Sequence, residues 1–300
     1  MSKIQGWINL YKPKNISSFK AINEIKKKFL LKKIGHAGTL DPLAEGILPV
    51  AIGKATKLIS FINNDIKKYY FTVSWGLQTS TDDSDGEILN RSNLIPELKK
   101  IEKSIKKYLG LTSQIPPKVS AVKINGKRAY KLVRERQDFS IEPKKVFVKD
   151  IQVLNHKVNK TYFSIECGKG FYVRSFARDI AIQLGTYGHI SSLERVKVGS
   201  FVKETSILLD DLLKIGERLD DFNYFKTSIS MLDDILAYEI VDQKDLNEIS
   251  FGRSIKIKEE YIRKSSLNTN DKNFFLSNNG NIVSIGKLEG NLFKPNKILI

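Results

Sequence analysis

Between residues 35 and 46 the sequence GHAGTLDPLAEG sets three glycines, a histidine and an Asp-Pro pair ahead of the apolar run ILPVAIG. A residue that precedes proline is driven out of the α region. Asp41 therefore sits either in a loop or at the cap of a helix whose first residue is Pro42. As a cap it would contribute about 1 kcal/mol, although the capping box is incomplete, because Ala44 stands where Glu is expected. As a carboxylate held in a glycine-rich loop it is a candidate for chemistry. The pattern alone leaves both readings open.

The chain of 300 residues carries 50 Lys and Arg against 33 Asp and Glu, a formal charge of +17 with a pI near 9.6. Such a balance suits a polyanionic partner, nucleic acid or an anionic membrane surface. No stretch of 18 apolar residues exists, and MSKIQGWINLYKPK lacks the apolar core of a signal peptide, so a soluble cytoplasmic protein is expected. Cys167 is the only cysteine and reads as a buried, inert thiol. His36, His156 and His189 are too scattered to form a zinc site, so no metal is expected. Two lookalikes fail: GILPVAIGK lacks the spacing of a phosphate-binding loop, and TDDSDG starts with Thr81 where a calcium loop needs Asp.

Along the chain, WINL reads as a strand and KPKN as a turn, with Ser17 or Ser18 capping a helix whose Phe19, Ile22, Ile25 and Phe29 share a face. KYYFTVSWG is a strand pattern, followed by the acidic turn region TSTDDSDGE. NLIPELKKIEKSIKKYLG aligns Leu94, Leu98, Ile101, Ile105 and Leu109 on one helical face. Residues 115–146 are basic, turn-rich and weakly periodic, a plausible arm for RNA, and TYFSIECGKGFYVRSFARDIAIQLG runs from strand into helix. After about residue 230, short apolar runs separated by FGRS, SNNGN and EGN predict a small β-rich domain.

The stretch GHAGTLDPLAEGILPVAIGKATK resembles the signature of TruB-type tRNA pseudouridine synthases, whose GxLDPxAxGxLP motif carries a catalytic aspartate. Four more segments fall in that family's order: LYKPKNISS, KKYYFTVSWG with TDDSDG, IPPKVSAVKINGKRAY, and CGKGFYVRSFARDIAIQLG followed by LERVKVGSF. They cover most of residues 6–201. The resemblance implies an α+β catalytic domain over residues 1–230, built on a mixed or antiparallel sheet, with an inserted basic RNA-binding arm at about 115–146. Residues 231–300 would form a small β-rich, PUA-like RNA-binding domain. It also implies a cofactor-free isomerase that flips uridine 55 of the tRNA T loop into a pocket and converts it to pseudouridine.

The same resemblance assigns the site. Asp41 becomes nucleophile or base, Arg174 ion-pairs with it, and Asp83 holds Arg174 from the other side. Tyr69 stacks on the flipped base, and its hydroxyl could assist proton removal at C5. His36 fills the vacated stack, while Leu193 and Tyr172 line the pocket. Lys12, Arg128, Lys131, Arg134, Lys144 and Lys145 are phosphate candidates, which would make binding steeply salt-dependent. Departures from the pattern are Asn15 for glycine in the KPxG turn, Ser80 within TST, Val119 before SAVK, and RER after the arm.

The expected partner is tRNA, bound by a monomer without guide RNA and without a membrane. Two rivals share part of this pattern. One is the catalytic subunit of an H/ACA guide-RNA particle, and the other a tRNA-binding folding chaperone.

Overall fold

The computed structural model describes residues 5–62, 66–216, 225–226, 237–240, 242–259 and 274–300. The apolar run at the start forms β1 (Gly6–Lys12), which stops at Pro13. Asn15 then turns the chain at φ 63°, a conformation Asn adopts more readily than most side chains. Ser17 caps α1 (Ser18–Lys28), accepting from the Lys20 amide at 3.1 Å. Ala21, Ile22 and Ile25 are buried, but Phe19, expected on the same face, is 68% exposed. Ser18 takes the inward position of that first turn, for a reason that the site makes clear below.

β2 (Ile34–His36) and β3 (Glu45–Ile52) follow, then a short α2 (Ile59–Ile62), β4 (Lys67–Trp75) and the hairpin of β5 (Leu77–Thr79) with β6 (Ile88–Arg91). α3 spans only Leu98–Ile105. Pro96 holds the residues before it extended, so of the expected stripe Ile101 and Ile105 are buried while Leu94, Leu98 and Leu109 stay exposed. β7 (Gly110–Gln114) leads into the basic segment, which holds the small hairpin of β8 (Lys123–Ile124) with β9 (Lys127–Arg128), and α4 (Ala129–Arg134). β10 (Lys144–Lys157) and β11 (Lys160–Cys167) form a long hairpin ahead of α5 (Val173–Gln183) and β12 (Gly188–Val198). Short pieces close the region: β13 (Phe201–Val202), β14 (Ile207–Leu208), α6 (Leu209–Lys214) and β15 (Phe225–Lys226).

Eleven of these strands make one mixed sheet in the order β14-β1-β3-β12-β4-β11-β10-β7, with β13 on β12, β15 on β1 and β2 on β3. β1 runs parallel to β14 and β3 parallel to β12, and the remaining pairs are antiparallel. Helices α1, α3, α5 and α6 pack one face with Ile22, Ile25, Ile101, Ile105, Phe176, Ile180, Leu209 and Leu212. Phe176 meets Phe71 and Phe163 edge-on, with both ring centroids at 5.7 Å, and so fixes α5 to the middle of the sheet. Burying one such ring is worth about 2–3 kcal/mol, and it sets the position of Arg174 two residues earlier.

The C-terminal part forms a second sheet, ordered β16-β18-β19-β20-β17, from β16 (Ala237–Glu239), β17 (Ile255–Lys256), β18 (Phe274–Asn278), β19 (Asn281–Glu289) and β20 (Leu292–Ile298). Among the described residues the helix α7 (Gln243–Ser250), capped by Asp242, lies within this β-rich part. The second sheet packs on the opposite face of the large one: Phe275, Ile282, Ile285 and Leu299 share a cluster with Trp7, Ile47, Ala51, Leu58, Val198 and Phe201. The expected boundary at residues 230 and 231 lies outside the described residues.

Candidate active site

Asp41 caps no helix. The segment Asp41–Ala44 is a turn, closed by the Ala44 amide on the Asp41 carbonyl at 3.1 Å, and leads directly into β3. With Glu45 to Ile52 extended, no helix begins at Pro42 and the Asp41 carboxylate is free for another partner. The turn is pinned from below by the 12–18 segment. The Ser18 hydroxyl donates to the Leu40 carbonyl and accepts from the Leu40 amide, both at 2.9 Å, while the Asn15 amide donates to the Pro42 carbonyl at 2.8 Å.

The partner is Arg174. Its Nε lies 2.9 Å from Asp41 Oδ2 and its Nη1 3.6 Å from Asp83 Oδ2. Nη1 also donates to the Thr81 carbonyl at 2.8 Å and Nη2 to the Val119 carbonyl at 2.9 Å. The Arg174 and Asp83 side chains are each 6% exposed, whereas that of Asp41 is 39% exposed. A buried guanidinium is tolerable only when its donors are all engaged, and here two carboxylates and two carbonyls surround it. Asp83 is held in turn by the Thr81 hydroxyl and the Asp85 amide on its Oδ1, and by the pairing of its segment with Ile190 of β12. Asp41 is thus the one outward-facing member of the trio, with one oxygen committed to Arg174. Burial and the Asp83 charge push its carboxyl up, while Arg174 and Lys12 pull it down; burial dominates.

The backbone around Arg174 is clamped as firmly as its side chain. The Gln114 side chain donates to the Tyr172 carbonyl at 3.0 Å and accepts from the Tyr172 amide at 2.8 Å, and Ser175 donates to the Ile115 carbonyl at 2.7 Å. One turn along α5, Arg178 binds Asp82 at 3.1 Å and the Ile115 carbonyl at 2.8 Å. The two arginines therefore tie the acidic turn to the start of the basic segment. Burial raises Asp82 to about 6, against the pull of Arg178 and Arg174.

Tyr69 and Leu193 lie on adjacent strands, with Leu193 opposite Phe71 and Tyr69 opposite Arg195. Tyr69 is 8% and Leu193 6% exposed. Burial first, and the nearby Asp41 charge in smaller part, keep the Tyr69 hydroxyl protonated. Tyr172 is half-buried, and burial and the Asp41 charge raise its phenol as well. His36, on β2, is kept neutral by burial and by the Arg195 charge, and its Nδ1 meets no hydrogen-bond partner among the described residues.

Of the expected phosphate contacts, Arg128, Lys131, Arg134, Lys144 and Lys145 are exposed, the first three on β9 and α4 and the last two at the start of β10. Lys12 is a correction. It is fully buried, its ammonium donating to the carbonyls of Pro13 and Ile16 at 2.7 and 2.8 Å, and burial lowers it to about 8. A side chain so placed stabilises the turn under Asp41 and reaches no external phosphate. Residues whose place in the site the sequence reading missed are Ser18, Gln114, Arg178 and above all Arg195, which is 1% exposed. The motif LERV, which drew attention to Leu193, holds Arg195 two positions on. Among the described residues, no group of three or more His, Cys, Asp or Glu side chains is placed to hold a metal ion.

The family model described as "TruB family pseudouridylate synthase (N terminal domain)" matches residues 26–173. A protein named tRNA pseudouridine synthase B from Ehrlichia ruminantium is 38% identical over 296 residues, 98% of each chain. The chain belongs to the TruB family. Another TruB relative of the same name, from Rhizobium meliloti, is 37% identical over 98% of this chain and 95% of its own. Among solved structures, a chain of an H/ACA RNP bound to a substrate RNA containing 2′-deoxyuridine superposes with a TM-score of 0.72 at 21% identity, over 98% of this chain and 85% of that one. A chain of a Cbf5-Nop10-Gar1 complex gives 0.71 at 23%, with the same coverage. At these identities the likeness establishes the pseudouridine synthase fold, and the site must carry the function. The TruB signature lies on the Asp41 turn; the matched region stops at Val173, one residue before the arginine that the turn needs.

Proposed function

We propose that this TruB-family chain isomerises uridine to pseudouridine in tRNA, at position 55 of the T loop, as a monomer and without a guide RNA. The observation that carries the reading is the Asp41 carboxylate, held by buried Arg174 with an outward face, on the loop that bears the family motif. The relatives' shared name, tRNA pseudouridine synthase B, supports tRNA as substrate.

The chemistry fits the groups present. The N1–C1′ bond breaks, the uracil turns, C5 bonds to C1′, and the proton lost from C5 is balanced by one gained at N1. Atoms and electrons are conserved, so the conversion itself asks for no co-reactant. A stacked base hides both C1′ and C6, so the nucleotide is flipped before reaction. Asp41, the outward member of the pair, then meets it, with Arg174 fixing its orientation through a planar guanidinium. Tyr69 and Leu193 supply the surface on which the uracil rests, with Tyr172 beside it. His36, neutral and with Nδ1 unused, fills the stack. The exposed Arg128, Lys131, Arg134, Lys144 and Lys145 meet backbone phosphates, and residues 231–300 act as a PUA-like RNA-binding unit.

The test is tritium release from an unmodified tRNA transcript labelled at uridine C5, with no guide RNA added. Release equal to one uridine, absent from Asp41→Asn and from a transcript with uridine 55 replaced, is expected. Release only on addition of a guide RNA would favour the guide-dependent reading. Tight binding without release, with misfolded tRNA still annealed, would favour a folding chaperone.

A further inference from the structure

Arg195 is a fully enclosed charge in a protein whose other cations are mostly at the surface, and the ion pair of Asp41 with Arg174 makes no use of it. Its backbone sits at the centre of the sheet. On one side β12 is parallel to β3, with Arg195 opposite Gly46, and on the other it is antiparallel to β4, with Arg195 opposite Tyr69. The approach to β3 is so close that a Cβ on Gly46, where φ is +111°, would lie 2.2 Å from the Arg195 carbonyl oxygen.

The guanidinium then reaches out of the sheet. Nε donates to the Ile47 carbonyl at 2.8 Å and Nη2 to the Gly38 carbonyl at 2.7 Å, and its charge acts on the hydroxyl of Tyr69, its cross-strand neighbour. Gly38 lies three residues before Asp41 and Ile47 six after it, so these two bonds span the whole reactive turn. On the other side Arg195 pairs across the strands with Tyr69, the aromatic residue assigned to the same site. No carboxylate lies within ion-pairing distance of Arg195 among the described residues; backbone carbonyls accept from it. Lysine has no rigid fork with which to serve two acceptors in different directions.

We propose that Arg195 is a positioning residue of the reaction, holding the Tyr69 hydroxyl and the Gly38–Ile47 turn in one fixed relation so that Asp41 and the uracil-facing phenol meet the flipped nucleotide together. This rests on the placement of Asp41 and Tyr69 in the site. Cross-strand pairing fixes the tyrosine's Cα opposite Arg195, and the guanidinium's charge acts on its hydroxyl. Burial lowers both His36 and Lys12, and the same guanidinium adds to the effect in each. One buried cation thus binds both ends of the reactive turn and pairs across the strands with Tyr69.

The experiment is a double-mutant cycle in single-turnover tritium release from the C5-labelled tRNA transcript, using wild type, Tyr69→Phe, Arg195→Met, Arg195→Lys and the doubles with Tyr69→Phe. Arg195→Met is expected to lose about 100-fold in rate with the Kd for tRNA changed by less than about threefold, and Arg195→Lys to recover part of the loss. Adding Tyr69→Phe to Arg195→Met is expected to cost less than about threefold, because residues that act as a unit are not additive. Losses that multiply, or an Arg195→Met enzyme as fast as wild type, overturn the proposal. Should Arg195→Met not fold, the cycle with Arg195→Lys decides on the same criterion.

Hydrogen exchange supplies a readout independent of turnover. Peptides covering 36–44 and 67–72 should exchange faster in Arg195→Lys, with 281–289 of the second sheet unchanged. Unchanged exchange in both site peptides overturns the proposal. A wild-type enzyme that releases no tritium is instead a failure of the functional reading, and the exchange result then still judges Arg195 as the link between turn and strand.

Discussion

The Ser18 hydroxyl and the Leu40 backbone exchange two hydrogen bonds of 2.9 Å, one in each direction, immediately before the carboxylate of Asp41. A side chain buried in the first turn of α1 thereby does for the reactive turn what a neighbouring strand would do for an extended segment. Ser18→Ala leaves both Leu40 groups unpaired in a buried place, a cost of about 1–3 kcal/mol. The expected outcome is a lower denaturation midpoint together with a kcat reduced roughly tenfold and little change in tRNA affinity, since a small displacement of a reacting group is expensive. Ser18→Thr, which keeps the hydroxyl, should recover most of the rate; equal losses in both variants would show that the hydroxyl is not the cause.

Removing Arg174 should be more damaging to the fold than removing Asp41. Arg174→Ala strands Asp83, which is buried, and frees the carbonyls of Thr81 and Val119, so about 3–5 kcal/mol of destabilisation is expected. Asp41→Asn keeps a polar partner for Nε at a partly exposed position and should stay within about 1 kcal/mol of wild type while abolishing tritium release. Urea melts of the two variants settle the order. A chain destabilised more by Asp41→Asn than by Arg174→Ala would contradict the assigned burial.

Asp82 gives the pH dependence of stability a definite sign. Burial raises its carboxyl to about 6, so the folded state binds the proton more tightly than the unfolded chain, where the value is about 3.9. Its contribution is fully present below about pH 4 and is lost as pH rises through about 6. Asp82→Asn removes that dependence and suits the site, because residue 82 has φ 60° and Asn tolerates the left-handed region. Relative to wild type, the variant should gain about 2 kcal/mol between pH 4.5 and pH 7 in urea melts. A stability difference that stays constant with pH, or falls, would contradict this.

Lys131 and Arg134 lie exposed on α4, whereas Lys12 is enclosed. The double variant Lys131→Ala with Arg134→Ala should weaken tRNA binding and flatten the slope of log K against log salt by about 1.5, near the value for two lost phosphate contacts. Lys12→Met should leave that slope where it is and instead lower the melting temperature. A Lys12 variant that flattens the slope would place its ammonium at the RNA after all.

Cys167 is 1% exposed and its thiol is pushed up to about 12 by burial. As the only cysteine it allows a clean measurement: iodoacetamide should label the native protein far more slowly than the urea-unfolded chain, because the thiolate is the reacting species. Fast labelling at pH 8 without loss of structure would refute its enclosure in the sheet.

What is legible in the sequence follows from local rules. Pro42 forces Asp41 out of a helix, Asn15 marks its own left-handed turn, and the pair Ser17 and Ser18 announces a helix cap, because in each case the cause lies within a few residues. Asp41 and Arg174 can be paired from the sequence only through family motifs that link two distant positions; no periodicity does so. Arg195 escapes notice and Lys12 is misplaced for one reason. Composition says that cations in so basic a chain face water, and only the sheet order, which sets β12 between β3 and β4 and β1 against β3, shows that these two cannot. Gln114 goes unread and Ser18 is read only as a possible cap, because a polar side chain near a turn has many solvated alternatives, and its choice of a buried backbone group is made by packing.

The cluster shared by the two sheets has a consequence for cooperativity. Trp7 and Phe201 of the large sheet are in edge contact at 5.7 Å, and Phe275, Ile282 and Leu299 of the small sheet belong to the same apolar group. Loss of the small sheet would open that group to water directly behind β1 and β3, the strands that flank the Asp41 turn. The two sheets are accordingly expected to melt as one thermodynamic unit, because the strand that follows the reacting carboxylate shares its apolar backing with residues from the far end of the chain.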